Sequence, residues 1–200
     1  MVVGVFHKFR EWDSSVKKSI VNILDVDPSV DLEIIYATRA NFTGQVVYSK
    51  PLCFLRPKVA LKIKSVQEML KKEGLGLKIY DGYRPHSVQK LFFKLFPDPN
   101  FIADPAIGSN HNRAAAVDVT LIDFVTKKEL EMPTKVDSFQ ANAHSYYPYV
   151  SIQALKNRAL LQYYMVLGGF EILEKEWWHF NCKEAKEYEI LDVSFDDLSL

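Results

Sequence analysis

Two short segments, residues 109–118 and 176–179, lie far apart in the chain and between them carry His111, Asp118, Glu176 and His179. Two imidazoles and two carboxylates are the raw material of a catalytic zinc site, which typically takes three protein ligands from His, Asp, Glu or Cys and leaves one position open for water. Three of these side chains suit the metal and the fourth suits its general base. A fold that uses them must bring both stretches to one place. Taken singly, a loop histidine or a strand aspartate is usually a solvated or capping group. The combination points to a metallohydrolase.

The chain has 200 residues, 48% hydrophobic and 13% aromatic. That is ample for one well-filled core, since a domain of this size buries roughly 70% of its unfolded surface. One domain over residues 1–200 is expected. Lys plus Arg and Asp plus Glu number 25 each, so the formal net charge is zero, and no basic excess exists to attract nucleic acid or an anionic membrane. No apolar run approaches the ~20 residues of a membrane helix. His7, Lys8, Arg10 and Glu11 interrupt the apolar start before a signal-peptide core forms. The expected location is cytoplasmic, and no oligomer is indicated. Cys53 and Cys182 are too few for a disulfide framework and leave one bridge between them open.

Residues 31–38 alternate imperfectly and predict a strand entering the polar turn 41–44. Val59, Ile63, Val66, Met69 and Leu70 fall at helical spacing within 58–73, with Gly74 as a stop. A strand is expected over 77–83 with Arg84 at its exit, then a helix over 87–96 with Pro85 as an early helical residue. In 115–122, Ala116, Asp118 and Thr120 alternate with Val117, Val119 and Leu121. This is the period of a strand with one apolar face, from which Asp118 points away. A helix over 151–167, ended by Gly168 and Gly169, and two closing strands over 170–182 and 188–193 complete the pattern. Strands and helices mix without regular βαβ alternation, so the fold class is α+β, a mostly antiparallel central sheet flanked by helices.

Positions three apart on a regular strand face opposite sides. Glu176 and His179 can therefore serve one site only if the chain bends between them or Glu176 approaches from the strand's end. Trp177 and Trp178 between them would make a water-poor wall. Arg84, before Pro85, could aim its fixed donors at a developing oxyanion or a carboxylate. Asp137 is by position a turn former that could also pair with an ammonium. His7 and His86 read as structural or exposed, and His144 as a candidate pocket residue.

Five pieces in order, residues 31–38, Asn41–Gly44, Asp81–Pro85, the Ser109 to Asp118 segment and Glu176–Phe180, together resemble the D-alanyl-D-alanine dipeptidase family, zinc D,D-dipeptidases of the VanX type. The resemblance implies one zinc ion per chain held by His111, Asp118 and His179, with Glu176 as general base and then acid. It implies that Arg84 stabilises the tetrahedral intermediate, that Ser109 and Tyr36 stand near the substrate carboxylate, and that Asp137 pairs with the free amine. The implied reaction is hydrolysis of D-Ala-D-Ala to two D-alanines, a step in peptidoglycan chemistry, on one face of an antiparallel sheet. A buried Asp137 would also measure length, because a blocked amine would leave it unpaired. Two residues depart from the family pattern. Ala114 stands where Gly is usual, which implies strain or a changed pocket if the backbone there has positive φ, and Asn112 stands where a small hydroxyl residue is common. The alternatives are a zinc D,D-carboxypeptidase acting on longer peptidoglycan peptides and a non-catalytic zinc-binding module. A structural zinc needs neither Glu176 nor Arg84, which argues against the module.

Overall fold

The computed structural model describes residues 19–198, so His7 and the apolar start lie outside the described residues. Along the chain the strands are β1 (Val21–Asn22), β2 (Asp31–Leu32), β3 (Phe54–Leu55), β4 (Leu75–Asp81), β5 (Ala116–Asp123), β6 (Phe170–Ile172) and β7 (His179–Cys182). The helices are α1 (Ile23–Val26), α2 (Pro57–Lys71), α3 (His86–Leu95), α4 (Ile152–Leu167) and α5 (Phe195–Leu198). Five strands form the central sheet in the order β2-β4-β5-β7-β6, and β1 pairs with β3 apart from it. Among the described residues only β2 and β4 run parallel; the remaining pairs are antiparallel, as the α+β reading anticipates.

Register explains how the sheet divides its two faces. Leu77 lies opposite Leu121, Ile79 opposite Val119 and Val117 opposite Phe180, so these apolar side chains share one face, and all are fully buried. Val59, Ile63, Val66 and Leu70 from α2 join the same core, as do Leu161 and Met165 from α4. Burying each such side chain contributes ~1.5–3 kcal/mol. Pro57 occupies the first turn of α2, where a missing N–H is harmless. Ser151 caps α4 by accepting from the Ala154 N–H at 3.0 Å, and Gly169, at φ 87°, follows its end. Asp118 does lie on the other face of β5, but Ala116 and Thr120 beside it are buried too. Loop residues roof that face and line two cavities against it.

Four sequence expectations change. The strand expected over 31–38 stops after Leu32 and passes into a 3-10 turn at Ile35–Ala37. Here the Tyr36 carbonyl accepts from the Val47 and Tyr48 N–H groups, and the Asn41 amide donates to the carbonyls of Ile35, Thr38 and Gln45; local polar partners displace the ladder. The strand expected over 170–182 is two strands separated by a turn. Residues 188–193 form no strand. Their backbone bonds go to Arg56, Arg113 and Tyr83 side chains and to Asn112 and His86 backbone. Pro85 stands outside α3 as its cap, at ψ 141°. Cys53 and Cys182 are buried, unbridged thiols, and among the described residues no helix is long and apolar enough to cross a membrane.

Candidate active site

Sheet register sets the centre. Asp118 of β5 lies directly opposite His179 of β7, so both side chains leave the same face as close neighbours. On the other flank a one-residue bulge in β4 shifts the pairing from Ile79 with Val119 to Asp81 with Asp118. Without it Asp81 would oppose Val117 and point into the core; with it Asp81, Asp118 and His179 form one row across three strands. His111 comes from the 3-10 turn His111–Arg113. Asn112 secures that turn: its Nδ2 donates to the Arg84 carbonyl at 2.9 Å and its Oδ1 accepts from the Ser109 N–H at 2.8 Å, a bridge that uses both ends of an amide. The turn closes on Ala114, left-handed at φ 54° and ψ 35°, the positive φ that a family glycine there implies. For an L residue this conformation costs roughly 1–2 kcal/mol.

His111 Nδ1 lies 2.7 Å from the Gly82 carbonyl oxygen. A carbonyl only accepts, so Nδ1 carries the proton and Nε2 presents a lone pair. That Nε2 is 3.1 Å from His179 Nδ1 and 3.4 Å from Asp118 Oδ2, and His179 Nδ1 is 3.0 Å from Asp118 Oδ1. One ligand atom from each of the three residues lies within 4.8 Å of the others, and all three residues are buried. Unless a proton sits on His179 Nδ1, three acceptors face one another, and a single cation satisfies them all. Burial opposes the charge of Asp118, but the two imidazoles outweigh it and hold its carboxyl far below the usual carboxylate range. Burial likewise opposes a charged His179, but its bond to Asp118 and the charges of Asp118 and Glu176 together outweigh this and raise its pKa. Two imidazoles and a carboxylate fit a divalent first-row metal ion, zinc among them.

Glu176 sits in the turn between β6 and β7 and so reaches the site from the strand's end, one of the two routes open to it. Ser145 fastens this turn, its Oγ donating to the Leu173 carbonyl at 2.6 Å and to the Glu176 carbonyl at 3.3 Å. Glu176 Oε2 lies 3.8 Å from His179 Nδ1. Burial pushes its carboxyl up to about 7, against a lowering by His179. Of the two tryptophans only Trp178 lines the site cavity; Trp177 donates its indole N–H to Thr134 Oγ1 at 2.9 Å.

Arg84 is pinned on every side. Its Nε and Nη2 donate to Asp81 Oδ2 at 3.1 and 2.8 Å, and its Nη1 donates to Gln89 Oε1 at 3.1 Å. The guanidinium carbon stands 5.3 Å from the Tyr36 ring centroid and 4.9 Å from that of Phe92, cation–π contacts that further restrict it. Its Nη2 lies 3.9 Å from Asp118 Oδ2.

His111, Asp118, His179, Glu176, Arg84 and Tyr36 line one cavity of about 370 Å³ together with Ser109, Asn110, Asp137 and Asn181. The Tyr36 hydroxyl donates to Asp137 Oδ1 at 3.0 Å, which leaves Asp137 Oδ2 buried without a partner. Burial, helped by the nearby Asp118, pushes Asp137 up to about 7. Tyr36 is thus engaged with Asp137 itself. Ser109 Oγ accepts from the His111 N–H at 3.2 Å, so its own hydrogen remains for another acceptor. His144 is not among the lining residues, and His86 Nε2 meets the Pro105 carbonyl at 2.8 Å. Sequence reasoning passed over Gln89, Asn110 and Asn181, and over Asp81 as the partner of Arg84. Only Asp81 carried a signal, its place three residues before the arginine.

A family profile described as D-ala-D-ala dipeptidase, a peptidase family, matches residues 17–197. A D-alanyl-D-alanine dipeptidase of Escherichia coli (strain K12) is 34% identical over 176 residues, covering 88% of this chain and 91% of that protein. One from Enterococcus faecium is 28% identical over 169 residues, covering 74% of this chain and 84% of that protein. Among solved structures, the LdcB LD-carboxypeptidase aligns at a TM-score of 0.42 and 21% identity over 67% of this chain and 63% of that one, too weak a likeness to bear on function.

Proposed function

The chain belongs to the D-ala-D-ala dipeptidase family, and from that premise we propose that it is a zinc-dependent dipeptidase that hydrolyses D-Ala-D-Ala to two D-alanines. His111, Asp118 and His179 would hold the metal. Three ligands leave a position open, as catalytic rather than structural zinc requires. Bound there, zinc would supply Lewis acidity toward a water nucleophile and the scissile carbonyl.

The chain's own residues do the rest. Glu176 takes the proton from the attacking water and later delivers it to the leaving amine, a role suited to a carboxyl whose burial favours holding a proton. Arg84, immobilised by Asp81, Gln89 and two aromatic rings, turns its remaining N–H donors toward the oxygen that gains negative charge. Asp137 offers its unpartnered Oδ2 to the substrate ammonium, with Tyr36 fixing the other oxygen. Ser109 donates its hydroxyl hydrogen to the substrate carboxylate. The same reading places the protein in the cytoplasm, in keeping with its two unpaired thiols.

One observation carries this reading: the three buried candidate ligands, the Glu176 carboxylate and the restrained Arg84 converge in one cavity. The test is release of D-alanine from D-Ala-D-Ala by the zinc-loaded protein, beside Glu176→Gln and an N-acetylated substrate. Wild type should cleave only the free dipeptide. Glu176→Gln should bind zinc yet lose roughly 10²–10⁴-fold in kcat, the usual worth of general acid–base catalysis. Cleavage of the acetylated substrate at a similar rate would favour a carboxypeptidase, and no cleavage by the zinc-loaded wild type would refute the proposal.

A further inference from the structure

His179 has two ring nitrogens, and only the one without a proton can hold a metal. Its Nε2 lies 2.9 Å from Asn181 Oδ1, two positions along β7 and so on the same strand face. Asn110 Nδ2 donates to that same Oδ1 at 2.7 Å, so the amide pair as arranged presents oxygen to Nε2. With oxygen there, Nε2 must carry the proton, and the lone pair falls on Nδ1, which faces His111 Nε2 and Asp118. The Gly82 carbonyl does the same for His111 from the other side. Turning both amides over would move the proton to Nδ1 and aim it at Asp118, abolishing the ligand.

We propose that Asn181, locked by Asn110, is a positioning residue that commits His179 to presenting Nδ1 to the metal. The inference rests on the metal-site reading above and adds residues outside the ligand set. Acceptors behind metal-bound histidines fix ring and tautomer, and their loss typically weakens metal affinity about 10–100-fold.

The test measures zinc affinity by competition with a chromophoric chelator in wild type, Asn181→Leu, Asn181→Asp and Asn110→Ala. Asn181→Leu should lose about 10–100-fold, while Asn181→Asp, which keeps an acceptor, should bind at least as tightly as wild type. Asn110→Ala should fall between wild type and the leucine variant. In the zinc-loaded, ¹⁵N-histidine-labelled protein, His179 should show a slowly exchanging proton on Nε2 that is lost with leucine at 181. Wild-type affinity in Asn181→Leu, or a proton on Nδ1 of loaded wild type, overturns the inference while leaving the metal site standing. A wild type that binds no zinc overturns both. If the leucine variant does not fold, the order of Asn181→Asp above Asn110→Ala decides.

Discussion

Replacing Asp81 by Asn attacks the row of side chains at its first member. Asp81 is fully buried and accepts four hydrogen bonds, from Tyr48 Oη and the Gly82 N–H at 2.9 Å each, and from Arg84 Nε and Nη2 at 3.1 and 2.8 Å. An asparagine has one oxygen. In either orientation its amide NH₂ meets donors, the guanidinium on one side or the Gly82 N–H on the other. Arg84 cannot shed its charge, so the substitution leaves a buried cation short of its partner, which costs about 3–5 kcal/mol. Two bonds to a charged group at about 1.5–3 kcal/mol each give about 3–6 kcal/mol, an overlapping range. Against a domain stability of about 5–15 kcal/mol, urea denaturation of the metal-free protein at pH 7 should show a large fall in midpoint at constant slope. Turnover should fall as well, because Arg84 loses its main anchor. A stability loss under about 1 kcal/mol with unchanged turnover would show that Gln89 and the two rings hold Arg84 unaided, and the reasoning would be wrong.

Two further outcomes follow. Burial raises the Asp137 carboxyl to about 7 when folded, against about 3.9 unfolded, so the native state holds that proton more tightly. Its stabilising contribution is present at low pH and is lost as pH rises from about 4 to 7. Urea midpoints of the metal-free protein should therefore fall over that window relative to Asp137→Asn, and parallel profiles would contradict the assignment. At position 114, glycine relieves about 1–2 kcal/mol of left-handed strain. It forfeits a buried methyl worth about 0.8 kcal/mol and adds unfolded-chain freedom worth about 0.5–1 kcal/mol. Ala114→Gly should thus change stability by less than about 1 kcal/mol, whereas Ala114→Val, branched and without exposed surface, should lose more than about 2 kcal/mol by thermal or urea unfolding.

The elements with a strong period were legible in the chain. α2 and α4 show apolar residues at helical spacing with glycine stops, and β5 alternates along its length; all three lie within a few residues of where periodicity puts them. What failed were the segments whose partners are distant side chains. Residues 188–193 are rich in apolar residues like a strand, yet their carbonyls and N–H groups are taken by Arg56, Tyr83 and Asn112, contacts that no local pattern announces. The chemistry-bearing residues could be singled out by type and by their resemblance to a family. Their supports could not, because Gln89, Asn110 and Asn181 are amides whose roles arise only when turns and strands far apart in sequence meet.

The bulged row through Asp81, Asp118 and His179 divides the protein into a frame and a rim. Rungs of a sheet stand about 4.8 Å apart whatever side chains they bear, so the spacing of Asp118 to His179, and of Asp118 to Asp81, the arginine's partner, is ruled by the backbone lattice. The opposite wall belongs to connecting segments: residues 99–103 line it together with Asp137 and Phe139, and the contact of the Phe101 and Phe139 rings, centroids 5.2 Å apart, ties the two segments together. Insertions or exchanges in those segments can therefore reshape what the cavity admits while the reacting groups keep their distances. Such a chain can acquire a new preference among small peptides without relearning its chemistry.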